Sequence, residues 1–227
     1  MIGLLYDVHG NLAALDAVLE DARSLGVGRW IVGGDVALFG PEPAGAVARL
    51  RDLAGASWLR GNTDRWLVEE PEPGWEPGIA ARSALGDAVA DELGALPFEV
   101  SEGDVLYVHA STVDDLRSFL PEPAESEGEL LDAVPGGVRR LVFGHTHLPF
   151  RREARGIELV NPGSVGFPFD GDPRAAWAAV HDDGGVEHRR VAYDHEASAA
   201  AVLERFGDHE WTRVMAERLR TARPAGL

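Results

Sequence analysis

The sequence predicts an α/β fold built around a layered sheet. In the first quarter of the chain, short apolar runs alternate with amphipathic helical patterns in the order strand, helix, strand, helix, strand. Such alternation is typical of βαβ units. The 227 residues are 45% hydrophobic and 26% charged, which is ordinary for a globular protein. This length suits one domain, so we expect a single domain over residues 1–227.

The first quarter of the chain supplies three predicted strands and two predicted helices. The apolar run at residues 2–8 is short, which predicts a buried strand. Asn11 is placed to cap a helix over residues 12–25, whose apolar positions share one face and which Gly26 ends. The next three elements are a strand at 30–32, a helix at 44–53 and a strand at 57–59.

The remainder of the chain, from residue 69, is predicted to contain more strands than helices. Residues 69–78 are rich in Pro and Glu and predict an exposed loop, which a single helix over residues 79–96 follows. From residue 157 onward the pattern is β-rich. The other elements are strands at 98–100, 105–109, 141–143, 175–180 and 186–191, a short helix at 130–134, and one or two helices within 196–220 that Gly207 would break.

Charge and composition exclude several classes of function. The net charge of −17 leaves no basic surface for a long nucleic acid or an anionic membrane. The chain has no Cys, which rules out disulfides, thiolate metal sites and cysteine nucleophiles. No apolar stretch approaches the roughly 18 residues that cross a bilayer, and the N-terminus lacks a targeting pattern. We therefore expect a cytoplasmic location, and the oligomeric state stays open.

Five apolar runs each end in side chains that can bind a metal ion. In an open α/β sheet, ligands bind beyond the carboxyl ends of the strands, so these five ends are predicted to converge. Side chains two positions apart on an extended chain share a face, which predicts that Asp7 lies beside His9. The same spacing occurs at His145 and His147. The full candidate set is Asp7, His9, Asp35, Asn62, His109, His145 and His147.

The donor chemistry of this set predicts two transition-metal ions. Carboxylate, amide and imidazole donors without sulfur suit Mn²⁺, Fe, Co, Ni or Zn²⁺ better than Mg²⁺ or Ca²⁺ alone. Seven donors are too many for one ion that keeps a free position. They suit two ions about 3.5–4 Å apart that share a carboxylate. Mn²⁺ is our first choice for both.

The order of these motifs resembles that of the calcineurin-like metallophosphoesterase superfamily. The matching motifs are Asp-x-His-Gly-Asn at 7–11, Gly-Asp at 34–35, Gly-Asn-x-Asp at 61–64, His109, and Gly-His-Thr-His at 144–147. Segments 161–164 and 169–174 resemble the small bacterial and archaeal phosphodiesterase branch. The resemblance implies a four-layer αββα sandwich, in which two mixed sheets are flanked by helices.

The resemblance also implies a role for each candidate ligand. Asp7, His9 and His147 would hold the first metal ion, and Asn62, His109 and His145 the second. Asp35 would bridge both ions. In the family, a water or hydroxide between the metals is the nucleophile.

Thr63 marks a departure from the family pattern. Many members carry a His here that protonates the leaving group, and a Thr hydroxyl is no acid near neutral pH. General acid catalysis contributes about 10²–10⁴-fold to the reaction rate. The missing His should therefore slow hydrolysis least for substrates with acidic leaving groups. Asp64 either takes over as the acid or stays ionised and orients a ligand or water. Arg65 either contacts a phosphoryl oxygen or forms a salt bridge, and Asn11 caps a helix, contacts phosphate, or does both.

The predicted function is metal-dependent hydrolysis of phosphodiester or nucleotide phosphoanhydride bonds in a small substrate. The missing acid favours anhydrides over phosphoserine, whose alkoxide leaves poorly. A protein serine/threonine phosphatase is the alternative within the enzyme class. A non-catalytic scaffold of the same fold and a nucleotide sensor are the alternatives outside it, and the complete ligand set disfavours the scaffold.

Overall fold

Ten strands form two sheets in the computed structural model, which describes residues 1–224. The strands are β1 (Ile2–Leu5), β2 (Arg29–Val32), β3 (Ala56–Trp58), β4 (Glu99–Glu102), β5 (Val105–Val108), β6 (Arg140–Val142), β7 (Phe150–Ala154), β8 (Ile157–Asn161), β9 (Ala175–Val180) and β10 (Val186–Val191). The first sheet has the order β10-β9-β1-β2-β3, and the second has the order β4-β5-β6-β8-β7.

Eight helices connect or flank the strands within the described residues. They are α1 (Leu12–Leu25), α2 (Pro43–Arg51), α3 (Asn62–Trp66), α4 (Glu76–Leu85), α5 (Asp87–Gly94), α6 (Glu127–Asp132), α7 (His195–Phe206) and α8 (Glu210–Thr221). None of them combines the length and hydrophobicity needed to cross a membrane.

Both sheets mix parallel and antiparallel pairs. In the first sheet, β1, β2 and β3 are parallel, and β9 runs antiparallel to both β1 and β10. In the second sheet, β5, β6 and β8 are parallel, with β4 and β7 antiparallel at the edges. Parallel strands end at the same edge of a sheet, so the segments that follow β1, β2 and β3 leave together, as do those that follow β5 and β6.

Three apolar clusters separate four layers. Leu4 lies between the sheets, in one cluster with Val142 of β6. The next residue, Leu5, points to the opposite face and joins Leu15 of α1 on the outside of the first sheet. Leu141 lies in a third cluster with α6 on the outside of the second sheet. The predicted αββα sandwich of two mixed sheets is therefore confirmed.

Two local predictions are wrong and two elements were not predicted, each for an identifiable reason. The helix predicted over 79–96 is two helices, because Gly86 adopts φ 81° between α4 and α5. The strand predicted over 2–8 ends at Leu5. The edge strand β7 carries three consecutive charged residues, Arg151 to Glu153, and so lacks the apolar run that predicts a strand. Helix α3 has only five residues, too few to show a helical period.

The C-terminal helices form a hairpin that packs on the loop after β8. Gly207, with φ 84°, separates α7 from α8 as predicted. Met215 and Leu219 of α8 share an apolar cluster with Phe167. Helix α8 is thereby held beside the edge where the parallel strands end.

Candidate active site

The seven candidate ligands meet where the two sheets adjoin. Four of them follow strands of the first sheet, and three follow strands of the second. The first-sheet residues are Asp7, His9, Asp35 and Asn62, and the second-sheet residues are His109, His145 and His147. The predicted convergence of strand ends therefore occurs.

Left-handed backbone brings most of these residues inward. Their φ angles are 55° at Asp7, 50° at His9, 54° at Asp35, 67° at His145 and 60° at His147. This conformation is uncommon for residues other than Gly and costs about 1–3 kcal/mol per residue, so it persists only where the surroundings impose it. The premise of extended-chain alternation was wrong, although Asp7 and His9 do lie together. His145 and His147 face different groups of donors.

One group of donors contains Asp7, His9, Asp35 and His147. One donor atom from each residue lies within 4.8 Å of the other three, and all four side chains are buried. The Nε2 atoms of His9 and His147 are 3.2 Å apart. Nε2 of His147 lies 3.4 Å from Oδ1 of Asp7, and Nε2 of His9 lies 3.6 Å from Oδ2 of Asp35.

A second group contains Asn62, His109 and His145. Oδ1 of Asn62 is 3.0 Å from Nε2 of His109 and 3.0 Å from Nδ1 of His145. Nε2 of His109 also lies 3.4 Å from Oδ1 of Asp35. The two oxygens of Asp35 thus face different groups, Oδ2 the first and Oδ1 the second.

Backbone carbonyl groups orient three of the imidazoles. Nδ1 of His9 lies 3.1 Å from the Leu38 carbonyl oxygen, and Nδ1 of His109 lies 2.9 Å from that of Gly33. His147 makes the same contact through Nδ1 with a backbone carbonyl at 2.5 Å. A carbonyl only accepts, so Nδ1 carries the proton, and a neutral ring then directs the lone pair of Nε2 into the site.

The electrostatics of the site fit bound cations. Oδ1 of Asp7 is buried and has no hydrogen-bond partner among residues 1–224, and the facing Nε2 atoms of His9 and His147 are both acceptors when the rings are neutral. Burial lowers the pKa of His109, but the charge and hydrogen bond of Asp35 and the charge of Asp7 together outweigh it and raise that pKa to about 10. Burial likewise lowers the pKa of His9 to about 4. Two buried carboxylates and inward imidazole nitrogens are a donor set for divalent metals, which displace such protons on binding.

Asp64 lies behind the site and holds Asp35. Its Oδ2 accepts the backbone N–H groups of Asp35 at 2.8 Å and Gly61 at 2.9 Å, and its Oδ1 accepts that of Val36 at 3.0 Å. Burial and the charge of Asp35 raise the pKa of Asp64 to about 7. The carboxylate does not line the cavity described below, so its position favours orientation of a ligand over proton donation to substrate.

The structure does not bring Arg65 or Asn11 to the cavity. Arg65 donates through Nε and Nη2 to the two oxygens of Asp115 at 2.7 and 2.8 Å, which is the salt bridge considered as its alternative. The Asn11 side chain caps α1 by accepting from Ala14 N–H at 3.3 Å, and its Nδ2 donates to the Gly166 carbonyl at 3.0 Å. The side chains of Arg65 and Asn11 therefore bind other groups of the protein, and neither residue lines the cavity in which a substrate would bind.

A cavity of about 130 Å³ opens onto the candidate ligands. Besides His9, Asp35, Asn62, His145 and His147, its lining residues are Phe39, Thr63, Trp66, Phe167, Phe169, Met215 and Arg218. Sequence reasoning missed the contribution of α8, which supplies Met215 and Arg218. The sequence of a helix shows which of its faces is apolar. It does not show which distant cavity the residues beside that face will line.

Comparison with known proteins gives one family and several relatives. The family model described as the calcineurin-like phosphoesterase superfamily domain matches residues 1–183. An uncharacterised protein of Methanocaldococcus jannaschii is 28% identical over 222 residues, covering 86% of this chain and 88% of that protein. Phosphodiesterase YfcE of Escherichia coli is 28% identical over 193 residues, covering 78% and 85%.

The fold is similar to solved structures over nearly its whole length. The crystal structure of a metallophosphoesterase from Sphaerobacter thermophilus aligns with a TM-score of 0.82 and 27% identity, covering 97% of this chain and 98% of that one. A hypothetical protein from Pyrococcus horikoshii aligns with a TM-score of 0.81 and 20% identity, covering 95% and 98%.

Proposed function

Because the chain belongs to the calcineurin-like phosphoesterase superfamily, and is thus a hydrolase of ester bonds, we propose that it hydrolyses phosphodiester or phosphoanhydride bonds of small substrates with two divalent metal ions. The observation that carries this proposal is the position of Asp35. Its two carboxylate oxygens face two separate groups of donors. A shared carboxylate between two ions is the arrangement of dinuclear hydrolytic sites.

The proposed ligands divide as the donor groups do. Asp7, His9 and His147 hold the first ion, Asn62, His109 and His145 hold the second, and Asp35 serves both. Oδ1 of Asp7, which accepts no hydrogen bond from the described part of the chain, supports this assignment, because a buried carboxylate oxygen without a hydrogen bond is costly unless a cation approaches it. Mn²⁺ is the first candidate, with Fe, Zn²⁺, Co and Ni as alternatives.

The ions would lower the pKa of a bound water and polarise a phosphoryl oxygen. The residues of α3 keep Asp35 in position for this role. The backbone N–H of Thr63 donates to Oδ1 of Asp35 at 2.9 Å, while Asp64 accepts from the backbone of Asp35. Phe39, Phe167 and Phe169 form an apolar part of the cavity wall.

No lining residue is free to act as a general acid. Among the described residues that line the cavity, every titratable side chain is a proposed metal ligand or Arg218. Thr63 lines the cavity, and its buried hydroxyl has no hydrogen-bond partner within the described chain. This hydroxyl can donate a hydrogen bond to substrate but not a proton to an alkoxide. We therefore propose substrates with acidic leaving groups, such as aryl or phosphate groups.

Reconstitution of metal-stripped protein tests the proposal. The wild type, Asp35→Asn and the surface control Asp208→Asn would each be loaded with Mn²⁺ and assayed on bis-p-nitrophenyl phosphate, p-nitrophenyl phosphate, diadenosine tetraphosphate and a phosphoserine peptide. We expect two Mn²⁺ per chain and metal-dependent hydrolysis in the wild type and the control. Asp35→Asn should bind less metal and lose activity by a factor of about 10² or more.

Each alternative has its own outcome. Hydrolysis of the phosphoserine peptide at the rate of the aryl esters would contradict the argument from the missing acid and favour a protein phosphatase. A single bound ion with full activity would contradict the dinuclear site. Metal binding without turnover of any substrate would favour a scaffold or a sensor.

A further inference from the structure

Arg218 lines the cavity wall and has no ion-pair partner among residues 1–224. No carboxylate oxygen within residues 1–224 lies within 4.0 Å of its guanidinium, and its buried Nε makes no hydrogen bond there. The other arginines along α8 behave differently: Arg213 pairs with Asp208 at 2.7 Å, and Arg220 pairs with Glu196 at 3.1 Å. In a chain with 38 acidic residues, an unpaired guanidinium beside the active site is conspicuous.

The surrounding structure fixes the position of Arg218. Its Cζ lies 5.6 Å from the centre of the Phe169 ring, and the same ring stacks on His147 at 4.3 Å. The Gly171 N–H donates to the Ala222 carbonyl at 2.9 Å, which ties the loop after Phe169 to the end of α8. The Phe169 ring therefore contacts both Arg218 and His147, a proposed metal ligand.

Partial burial makes the lack of an ion-pair partner within residues 1–224 unfavourable in the free protein. Arg218 is half-buried, which lowers the pKa of its guanidinium, and a charge removed from water is costly unless it is paired and hydrogen-bonded. A bound anion would remove that cost. The planar fork of a guanidinium matches two oxygens of a phosphoryl group.

A wider groove adjoins the cavity. It has a volume of about 520 Å³ and shares Phe39 and Met215 with the cavity. Trp75 and Trp211 supply aromatic walls. Its charged lining residues within the described chain are all acidic, namely Glu72, Glu76 and Glu210.

This charge pattern distinguishes two kinds of substrate. A polyphosphate chain that extended from the site into the groove would meet three carboxylates and no cation. A neutral or cationic aromatic group would meet the indole rings, and the acidic residues would not repel it. The groove therefore favours an organic substituent over a second phosphate.

We propose that Arg218 binds the non-bridging oxygens of a single substrate phosphoryl group while the acidic, aromatic groove receives an uncharged or cationic aromatic substituent of the ester. The reaction itself rests on the proposed function. Helix α8 lies outside residues 1–183, to which the family model applies, so Arg218 is not part of the matched family domain.

Phosphate binding and ester kinetics test the role of Arg218. The Mn²⁺-loaded wild type, Arg218→Gln, Arg218→Lys and the control Arg213→Gln would be titrated with inorganic phosphate by calorimetry and assayed on bis-p-nitrophenyl phosphate. Loss of charge-assisted hydrogen bonds should weaken phosphate binding by Arg218→Gln about 10- to 100-fold and raise its KM similarly. Arg218→Lys should be intermediate, and Arg213→Gln should match the wild type. Phosphate binding by Arg218→Gln as tight as in the wild type would overturn the assignment.

The groove has a separate test. The wild type should have a higher kcat/KM for the aryl diester than for diadenosine tetraphosphate, and the double variant Glu76→Gln/Glu210→Gln should shift that ratio toward the polyphosphate. A wild-type preference for the polyphosphate, or an unchanged ratio in the double variant, would overturn the substrate class. If the wild type shows no metal-dependent turnover, the proposed function fails, and the phosphate titration still decides the role of Arg218.

Discussion

Replacing Asp64 by Ala should destabilise the fold far more than removing an exposed carboxylate would. Three buried backbone N–H groups, those of Asp35, Val36 and Gly61, donate to this side chain at 2.8 to 3.0 Å. An orphaned buried donor costs about 1–3 kcal/mol. Removal of a buried charge beside Asp35 offsets part of that sum, because this charge repulsion contributes to the raised pKa of Asp64. We expect a net loss of about 3–5 kcal/mol in the free energy of unfolding.

Asp64→Asn should lie between the wild type and Asp64→Ala. The amide oxygen can accept two of the three N–H groups, and its NH₂ then faces the third donor without forming a bond. The loss should be about 1–3 kcal/mol. Asp87→Ala, which removes an exposed carboxylate of α5, is the matched control and should unfold like the wild type.

Urea unfolding of the metal-free proteins at pH 8, followed by fluorescence of the six Trp residues, measures these differences. Calorimetry then gives the Mn²⁺ affinity of each variant, which we expect to fall about 10- to 100-fold when a group that orients a ligand is lost. If Asp64→Ala unfolds like the wild type but loses only kcat, Asp64 acts on the substrate and the structural argument is refuted.

Two further substitutions test packing and charge. A Cβ at Gly144 would lie 2.5 Å from Oδ2 of Asp7, so Gly144→Ala should displace that carboxylate. Calorimetry should then show Mn²⁺ binding weakened at least tenfold. Gly136 has open space around it, so Gly136→Ala should leave Mn²⁺ binding unchanged. A hydrogen bond from Arg189 lowers the pKa of Asp21 in the folded protein. The pair therefore stabilises the fold at pH values above the pKa that Asp has in the unfolded chain. This stabilisation is lost as the pH falls through the lower pKa of Asp21 in the folded protein. Asp21→Asn should therefore cost about 1 kcal/mol at pH 7 and little at pH 2 in urea unfolding, and a constant difference across that range would contradict the pKa argument.

The sequence contains the signals for most of the framework and for the ligand set. The bounds of α1 were predicted because Asn11 accepts the Ala14 N–H at its start and Gly26 adopts a left-handed conformation at its end. The ligands were found because parallel strands expose their carboxyl ends at one edge. These signals are local, or they follow from the fold class.

The remaining features depend on tertiary contacts between distant residues. The left-handed conformation at Asp7 is imposed by neighbours such as the Gly34 carbonyl, which accepts the Asp7 N–H at 3.2 Å. Arg65 is held by Asp115, fifty residues further along the chain. The presence of Arg218 in the cavity depends on how α8 packs on Phe167. None of these contacts produces a periodic pattern in the sequence.

The division of the ligands between the two sheets has a consequence for biosynthesis. During translation, His147 is the last of the seven to leave the ribosome, and β1 lacks its partner β9 until residue 180 has followed. Nascent chains thus carry isolated His and Asp side chains before any complete pocket exists. The complete set of donors is therefore assembled only after the strands that carry it have paired, so metal binding at the proposed site would follow folding of both sheets.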